Sequence, residues 1–451
     1  MTIPPADMPM PEGQAASSAP PKPLDGFPPE EFKARRDALR AACTDGLILI
    51  RGATEDEAAF ASAGTYRQNS PFFYLTGVDT PGAFLALLPE GVPATAGMRD
   101  APPDAREILF LPARNATTET WTGPKLGPGE ETATLTGFPK VADAGGLWGA
   151  LTGWLRRNPL LYTLTPYGEQ AKLTREYALM QKIADIAPVV QFRDCAGALA
   201  RQRAVKSPAE IARIREAIAI TVEGQKRARS VIAAGAGKWE YEVEAAVFAT
   251  FRSQGAALAF PTIIGAGFHS TVLHYEDNHH QMGAGDLVVV DIGARFGHYA
   301  GDLTRTYPVG GVFSPRQREV YALVAAAHEQ AIASYQPGVD TLKTMDERCK
   351  EFLKASPLRA RDADGKEQTM NVFMPHGLSH FLGLDVHDVG DREAPLAPGN
   401  VITIEPGIYI PSESLGVRLE DDYLVTPTGL ERLGPPLERE LEAVESALPG
   451  V

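Results

Sequence analysis

Two apolar runs in this chain each end on a carboxylate, and that pairing constrains the fold more than any other feature. In LVVVDIGARFGHYAGDLTRT the run Leu287–Val290 closes on Asp291, and Asp302 follows beyond a glycine-containing turn. A four-residue apolar run reads as a strand covered on both faces, so Asp291 is expected inside. With Phe296 and Gly297 at the centre of a tight hairpin, Asp291 and Asp302 would face each other directly. Like charges opposite one another destabilise a ladder, and carboxylates are seldom buried unless paired or bound to a metal. A cation between them removes the conflict. An exposed strand face would leave both acids in water, but the LVVV run argues against it.

The arrangement recurs downstream. NVITIEPGIYI ends a β-branched run at Glu405, and GVRLEDDYLVT places Glu420 in a second extended run. A turn around Pro411 to Leu415 would bring the two strands together. Ahead of them MPHGLSHFLGLDVHDVG carries His376, His380 and His387. The first two have the spacing of a helix face, although Gly377 disfavours a long helix. Two aspartates, two glutamates and one imidazole suit Mn²⁺, Co²⁺, Fe²⁺ or Zn²⁺ at a hydrolytic site. Four carboxylates exceed the needs of one divalent ion and point to two.

Taken together, these acids in this order with HGLSHFLGLDVHDVG, EPGIY and VRLEDD resemble the proline-specific aminopeptidase P and prolidase family, from about Phe32 to about Leu433. The resemblance implies the pita-bread fold shared with methionine aminopeptidase and creatinase. It also implies two divalent metal ions, Mn²⁺ first, with Co²⁺ or Zn²⁺ as alternatives. Asp291, Asp302 and Glu420 would hold one ion; Asp302, His380, Glu405 and Glu420 would hold the other. The implied reaction is hydrolysis of the Xaa-Pro bond at a peptide's amino terminus, by a hydroxide activated between the two ions. Glu405 would carry the proton to the leaving nitrogen, and His387 would stabilise the tetrahedral intermediate. His274 and His376 would shape the pocket around the proline ring. Tyr409 and Arg418 match positions lining the family's substrate pocket, with a competing role for Arg418 as a partner of Glu405 or Glu420.

Composition bounds the rest. A length of 451 residues suggests two or three domains, and 44% hydrophobic with 22% charged residues describes a soluble globular chain. A net charge of −14 argues against nucleic acid as a partner. Cys43, Cys195 and Cys349 are widely spaced and read as buried thiols of a reducing compartment. No apolar stretch approaches a membrane span. Residues 1–23 hold seven prolines and lack the basic and apolar regions of a secretory signal, which predicts a disordered tail and a cytoplasmic location.

Residues 24–195 alternate helical and apolar segments, the pattern of an α/β domain. The helix-like PPEEFKARRDALRAAC leads to GLILI, and FFYLTG, AFLALLP, EILFLP and LLYTLTP read as further strands. RQNSPFFYLTG and TWTGPKLGPGE resemble the creatinase-like amino-terminal domain of aminopeptidase P, which implies a homodimer or homotetramer. A boundary near Val190 to Ala204 precedes KSPAEIARIREAIAI, a helix with Ser207 as N-cap, Pro208 at N1 and Glu210 at N3. Residues 196–445 form the expected catalytic domain. All nine histidines lie between His269 and His387, so the chemistry concentrates there, while His279, His280, His298 and His328 read as structural or exposed.

Three other readings compete with an Xaa-Pro aminopeptidase. A prolidase would cleave only Xaa-Pro dipeptides, a creatinase-like amidinohydrolase would lack the ligands, and a non-enzymatic pita-bread module that binds peptides or proteins would have lost them. Nothing in RQNSPFFYLTG or in the loop after EPGIYI looks like a dedicated basic cap for a dipeptide carboxylate, which favours Xaa-Pro-Yaa and longer substrates. Arg418 could either serve as such a cap or pair with a longer peptide's backbone or a ligand carboxylate.

Overall fold

A computed structural model describes residues 26–57, 66–439 and 442–444. The expected tail, residues 1–23, lies outside the described residues. The chain divides into two compact units, Met1–Ala196 and Gly197–Val451.

The first unit is built on one six-stranded sheet. Its strands are β1 (Leu47–Arg51), β2 (Phe84–Leu87), β3 (Glu107–Leu111), β4 (Val141–Asp143), β5 (Leu160–Thr163) and β6 (Gln191–Asp194), in the order β4-β3-β2-β1-β5-β6. The sheet is mixed: β1 and β3 flank β2 antiparallel, whereas β4, β5 and β6 join in parallel. Leu47, Leu49, Ile108 and Phe110 face a core closed by helix Leu147–Leu155, whose buried Trp154 donates its indole N–H to Ala94 O at 3.0 Å. FFYLTG is not a strand. Asn69 caps a helix, Ser70–Thr76, by accepting from Phe72 N, and Gly77 ends it in the left-handed conformation. Local capping at both ends outweighed the β propensity of the aromatic run.

The second unit carries the predicted capping box. Ser207 accepts from Glu210 N, Glu210 accepts from Ser207 N, and the helix Pro208–Ala233 follows. That helix packs with Glu240–Ser253 over two small sheets. One sheet is β12-β9-β8, from β8 (Ile263–Ala266), β9 (Leu287–Ile292) and β12 (Leu303–Pro308); the other is β11-β10-β7, from β7 (Ala257–Leu258), β10 (Ala294–Phe296) and β11 (Tyr299–Ala300). β9 and β12 are buried throughout, as the LVVV run predicts. Gln225 holds the pair from the helix side, donating to Val290 O at 2.9 Å and Leu303 O at 2.7 Å. After the hairpin β13 (Arg359–Arg361) and β14 (Glu367–Thr369), the ladders β15 (Val401–Ile404)–β18 (Asp421–Thr426)–β19 (Gly429–Arg432) and β16 (Gly407–Ile410)–β17 (Leu415–Arg418) complete the unit.

The hairpin register differs from expectation by one turn position. Gly297 and His298, both with positive φ (55° and 66°), are the turn residues, and Phe296 pairs with Tyr299. That is the pattern of a tight hairpin turn matched to strand twist. Asp291 therefore faces Thr304, not Asp302.

Candidate metal centre

Each acidic side chain reaches the centre because a strand turns it there. Side chains alternate along a strand, so Asp302, two residues before Thr304, lies on the same face as Asp291 and diagonal to it. The loop between them is tight. A Cβ on Gly293 would meet Gly301 O at 2.3 Å, so only glycine allows the approach. On the other side of the centre, Ile404 pairs with Asp421 and Gly407 with Arg418. Glu405 and Glu420 thus stand opposite each other where that ladder opens. Their backbone N–H groups bond elsewhere, to Leu378 O (2.9 Å) and Thr304 O (3.0 Å).

His380 enters from a loop held by a bridge between Phe381 and Ile402. Its Nδ1 lies 3.1 Å from Phe381 O. A carbonyl only accepts, so in the neutral ring Nδ1 carries the hydrogen and Nε2 keeps a lone pair. That Nε2 is 3.5 Å from Asp302 Oδ2, 3.5 Å from Glu405 Oε1 and 3.8 Å from Glu420 Oε1. His376 lies in an extended loop, so the helical spacing of the two histidines is not used.

The electrostatics are those of a site built for cations. Burial, then Glu420 and Asp291, hold the Asp302 carboxyl well above the usual carboxylate range. Burial and Glu420 do the same to Glu405. Burial and Asp291 push Glu420 up to about 7. Asp291 Oδ1, Asp302 Oδ1 and Glu420 Oε1 are buried with no hydrogen-bond partner among the described residues. Such oxygens are costly unless something binds them. Asp302, His380 and Glu420 each offer a ligand atom within 4.8 Å of the others. The donor set fits divalent metal.

All five candidate ligands line one cavity of about 550 Å³, and His274, His376, His387 and Arg418 share its wall. Tyr409 stands one layer back. Arg418 Nη1 donates to the Tyr409 hydroxyl at 2.7 Å, and that hydroxyl lies 2.9 Å from His376 Nε2. His376 Nδ1 is 2.8 Å from Gly377 O, so its hydrogen goes to the carbonyl and Nε2 accepts from Tyr409. Burial lowers the His376 pKa to about 4, and the ring is neutral. Arg418 Nη2 donates to Asp291 Oδ2 at 2.6 Å, so its carboxylate partner is Asp291 and not Glu405 or Glu420. His387 stacks edge-on to His380, ring centroids 4.3 Å apart.

A sequence profile for metallopeptidase family M24 matches residues 212–427, and one for the amino-terminal domain of aminopeptidase P matches residues 32–162. The Xaa-Pro aminopeptidase of Escherichia coli is 32% identical, over 93% of this chain and 97% of its own. The chain belongs to the aminopeptidase P branch of family M24. A proline aminopeptidase P II from Yersinia pestis superposes with a TM-score of 0.79 at 30% identity, covering 94% of this chain and 99% of that one. A zinc-substituted E. coli aminopeptidase P in complex with product gives 0.78 at 30% identity over 94% and 98%. The two-domain fold is that of this family, and family membership makes the chain a metal-dependent hydrolase using divalent ions.

Several residues in and behind the cavity wall of this family member are not among those the sequence singles out. Asp422 accepts from Asp302 N at 3.0 Å, and Thr304 donates to Glu420 Oε2 at 2.6 Å. Arg392 lines the cavity and donates to Ser379 O at 3.0 Å. The EDD run could have flagged Asp422, and strand alternation from Asp302 could have flagged Thr304. Nothing comparable marked Arg392, Phe260 or Phe381.

Proposed function

We propose that this chain hydrolyses the bond between the first residue and a following proline in peptides. The observation that carries the reading is the convergence of Asp291, Asp302, His380, Glu405 and Glu420 on one cavity, with three buried carboxylate oxygens unsatisfied. The E. coli relative, similar along almost its whole length, bears the name of that activity. Two divalent ions, Mn²⁺ by preference, would be held by these five residues, Asp302 and Glu420 serving both. When bound, the ions supply an acidified water and a Lewis acid.

The chain's own groups do the rest. Glu405, on the cavity wall, would take a proton from the attacking water and pass it to the leaving proline nitrogen. His387 and His274 stand on the cavity wall where a substrate carbonyl can be reached. His376 has both ring nitrogens committed, so it offers the proline ring a packing surface and no proton. Tyr409 would orient His376 from behind, and Arg418, on the cavity wall, would orient Asp291.

We take residues 24–195 and 196–445 as the two domains, and a cytoplasmic homo-oligomer as the working form. Among the described residues no helix is long and apolar enough to cross a membrane. Chelation should abolish hydrolysis of Ala-Pro-Ala and Mn²⁺ should restore it; activity that survives chelation would end the reading. Arg418 is engaged by Asp291 and Tyr409, which leaves it poorly placed to cap a dipeptide and favours Xaa-Pro-Yaa and longer substrates. A preference of about tenfold in kcat/KM for Ala-Pro, some 1.4 kcal/mol, would make this a prolidase.

A further inference from the structure

The loop that carries His387 is held by a buried ion cluster that has no place among the candidate ligands. His387 sits between Asp385 and Asp388 in LDVHDVG. The Asp388 side chain is 1% exposed, and two cations close on it: Arg203 Nη2 to Oδ1 at 2.5 Å and Lys206 Nζ to Oδ2 at 3.1 Å. The same Arg203 nitrogen also reaches Asp385 Oδ2 at 2.8 Å. Both cations are themselves buried, Arg203 at 4% and Lys206 at 1% side-chain exposure. Two positive and two negative charges thus flank Val386 and His387, the two residues between the acids.

The cluster is braced from both sides. Lys206 N donates to Gly399 O at 2.8 Å and Asn400 Nδ2 donates to Ala204 O at 2.8 Å, which ties the Arg203–Lys206 segment to the turn before β15. Asp388 N donates to Phe381 O and Gly383 N to Asp385 O, which folds the histidine loop back on the residue after His380. There is no slack at the contact. A Cβ on Gly383 would lie 2.1 Å from Asp388 Oδ2 and 2.9 Å from the Lys206 side chain. Burying the Asp388 carboxylate with two cations, while Asp385 stays 36% exposed, costs more than a well-packed apolar contact would, so simple stability explains the cluster poorly. A fixed path for Val386 and His387 between the acids explains it well.

We propose that Arg203 and Lys206 are positioning residues for His387, acting through Asp388 and Asp385, an inference that rests on the catalytic use of His387 proposed above. Neither cation touches the cavity contents, since neither lines it. Their removal should let the loop move and leave the ligand set intact.

The test uses the full-length, metal-loaded enzyme. Lys206→Met and Arg203→Met should keep their metal by elemental analysis and lose roughly tenfold or more in kcat on Ala-Pro-Ala, with KM changed less than about threefold. Arg203→Lys, which keeps the charge, should recover most of the loss. Amide hydrogen exchange over residues 383–390 should quicken in the Met variants. In a His387→Ala background the same substitutions should cost no further kcat beyond about twofold, because the group they position is gone. Equal losses with and without His387 would overturn the proposal, as would kcat unchanged in both Met variants. Should Lys206→Met fail to fold, Arg203→Met, which also lies outside the cavity wall, carries the test; failure of both to fold assigns the cluster to stability alone and overturns positioning. A wild-type enzyme inactive on every Xaa-Pro substrate would instead remove the proposed activity and leave the exchange result to judge whether the cluster fixes the loop.

Discussion

Glu420 and Asp421 are neighbours in the chain and opposites in their surroundings. Glu420 faces the cavity among Asp291, Asp302 and Glu405, with one oxygen unsatisfied and its pKa pushed up to about 7 by burial and by Asp291. Asp421 faces the other way, fully buried, and meets Arg305 at 2.7 Å, Arg439 at 2.8 Å and Arg432 at 3.0 Å. Burial opposes ionisation there too, but those guanidinium groups bring its pKa down to about 2. His328, beside it, is driven to about 3 chiefly by burial and stays neutral. Burial alone does not mark a functional acid. At Glu420 the mark is burial without a close protein countercharge, because the missing charge must come from something the chain binds.

The comparison breaks first at the centre. Glu420→Gln and Asp302→Asn should each cut turnover by roughly 10³-fold or more, the scale of several kcal/mol of lost stabilisation, and metal content should fall with it. The metal-stripped Glu420→Gln protein should be as stable as the stripped wild type or more so, since a crowded charge has gone. Retention of full activity and both ions in either variant would undo the assignment of the site.

Asp421→Asn should behave in the opposite sense. It leaves Arg305 buried without its carboxylate, at a cost of about 3–5 kcal/mol in unfolding free energy, while metal bound to the folded fraction is retained. Denaturant unfolding of the two variants side by side measures the contrast. Comparable stability losses in Asp421→Asn and stripped Glu420→Gln would erase it.

His387→Ala and His274→Ala should keep the metal and lose roughly 10²-fold in kcat, as removal of a transition-state donor does. Release of metal by His387→Ala with no other kinetic defect would show that the residue serves the ions and not the substrate.

pH sharpens the comparison further. The raised pKa of Glu420 in the metal-free fold means stability that is fully present below its unfolded value, about 4.5. That stability is lost as pH rises through about 7. The lowered pKa of Asp421 contributes stability above its unfolded value of about 4, lost only as pH falls through about 2. The Tm of stripped enzyme should therefore decline between about pH 5 and 8, and Mn²⁺ should remove the decline and release protons on binding. A Tm that climbs steadily over that range would contradict the charge crowding.

The smallest effect belongs to the turn. His298 has φ of 66°, where alanine is strained by roughly 1–2 kcal/mol, so His298→Ala should lower stability slightly and leave kcat/KM alone. A tenfold loss of activity would mean that the turn also positions Asp302.

Most of the candidate ligands are legible in the sequence, because a carboxylate that ends or interrupts a β-branched run is chemically anomalous on its own. Leu287–Ile292 and Val401–Ile404 carried that signal, and the resemblance ordered the residues into a site. The hairpin register was not legible to one position, since Phe296–Gly297 and Gly297–His298 are both plausible turns and a histidine can adopt positive φ. The strand alternation kept both aspartates on one face regardless. FFYLTG misled because its aromatic composition suits a strand, while Asn69 and Gly77 at its ends decide for a helix.

The sequence by itself determined which residues must be hidden and which of those were out of place, since hydrophobic period and residue chemistry are local properties. It determined the capping of the helix at Ser207 for the same reason. Tertiary structure alone decided which charges meet. Arg418 went to Asp291 across 127 positions of chain, Arg203 to Asp388 across 185, and Arg305 to Asp421 across 116. Electrostatic pairing acts through space and depends on burial, so no spacing along the chain could tell which acids find an arginine, which are left without one, or that Asp291 would hold an arginine and face the cavity as well.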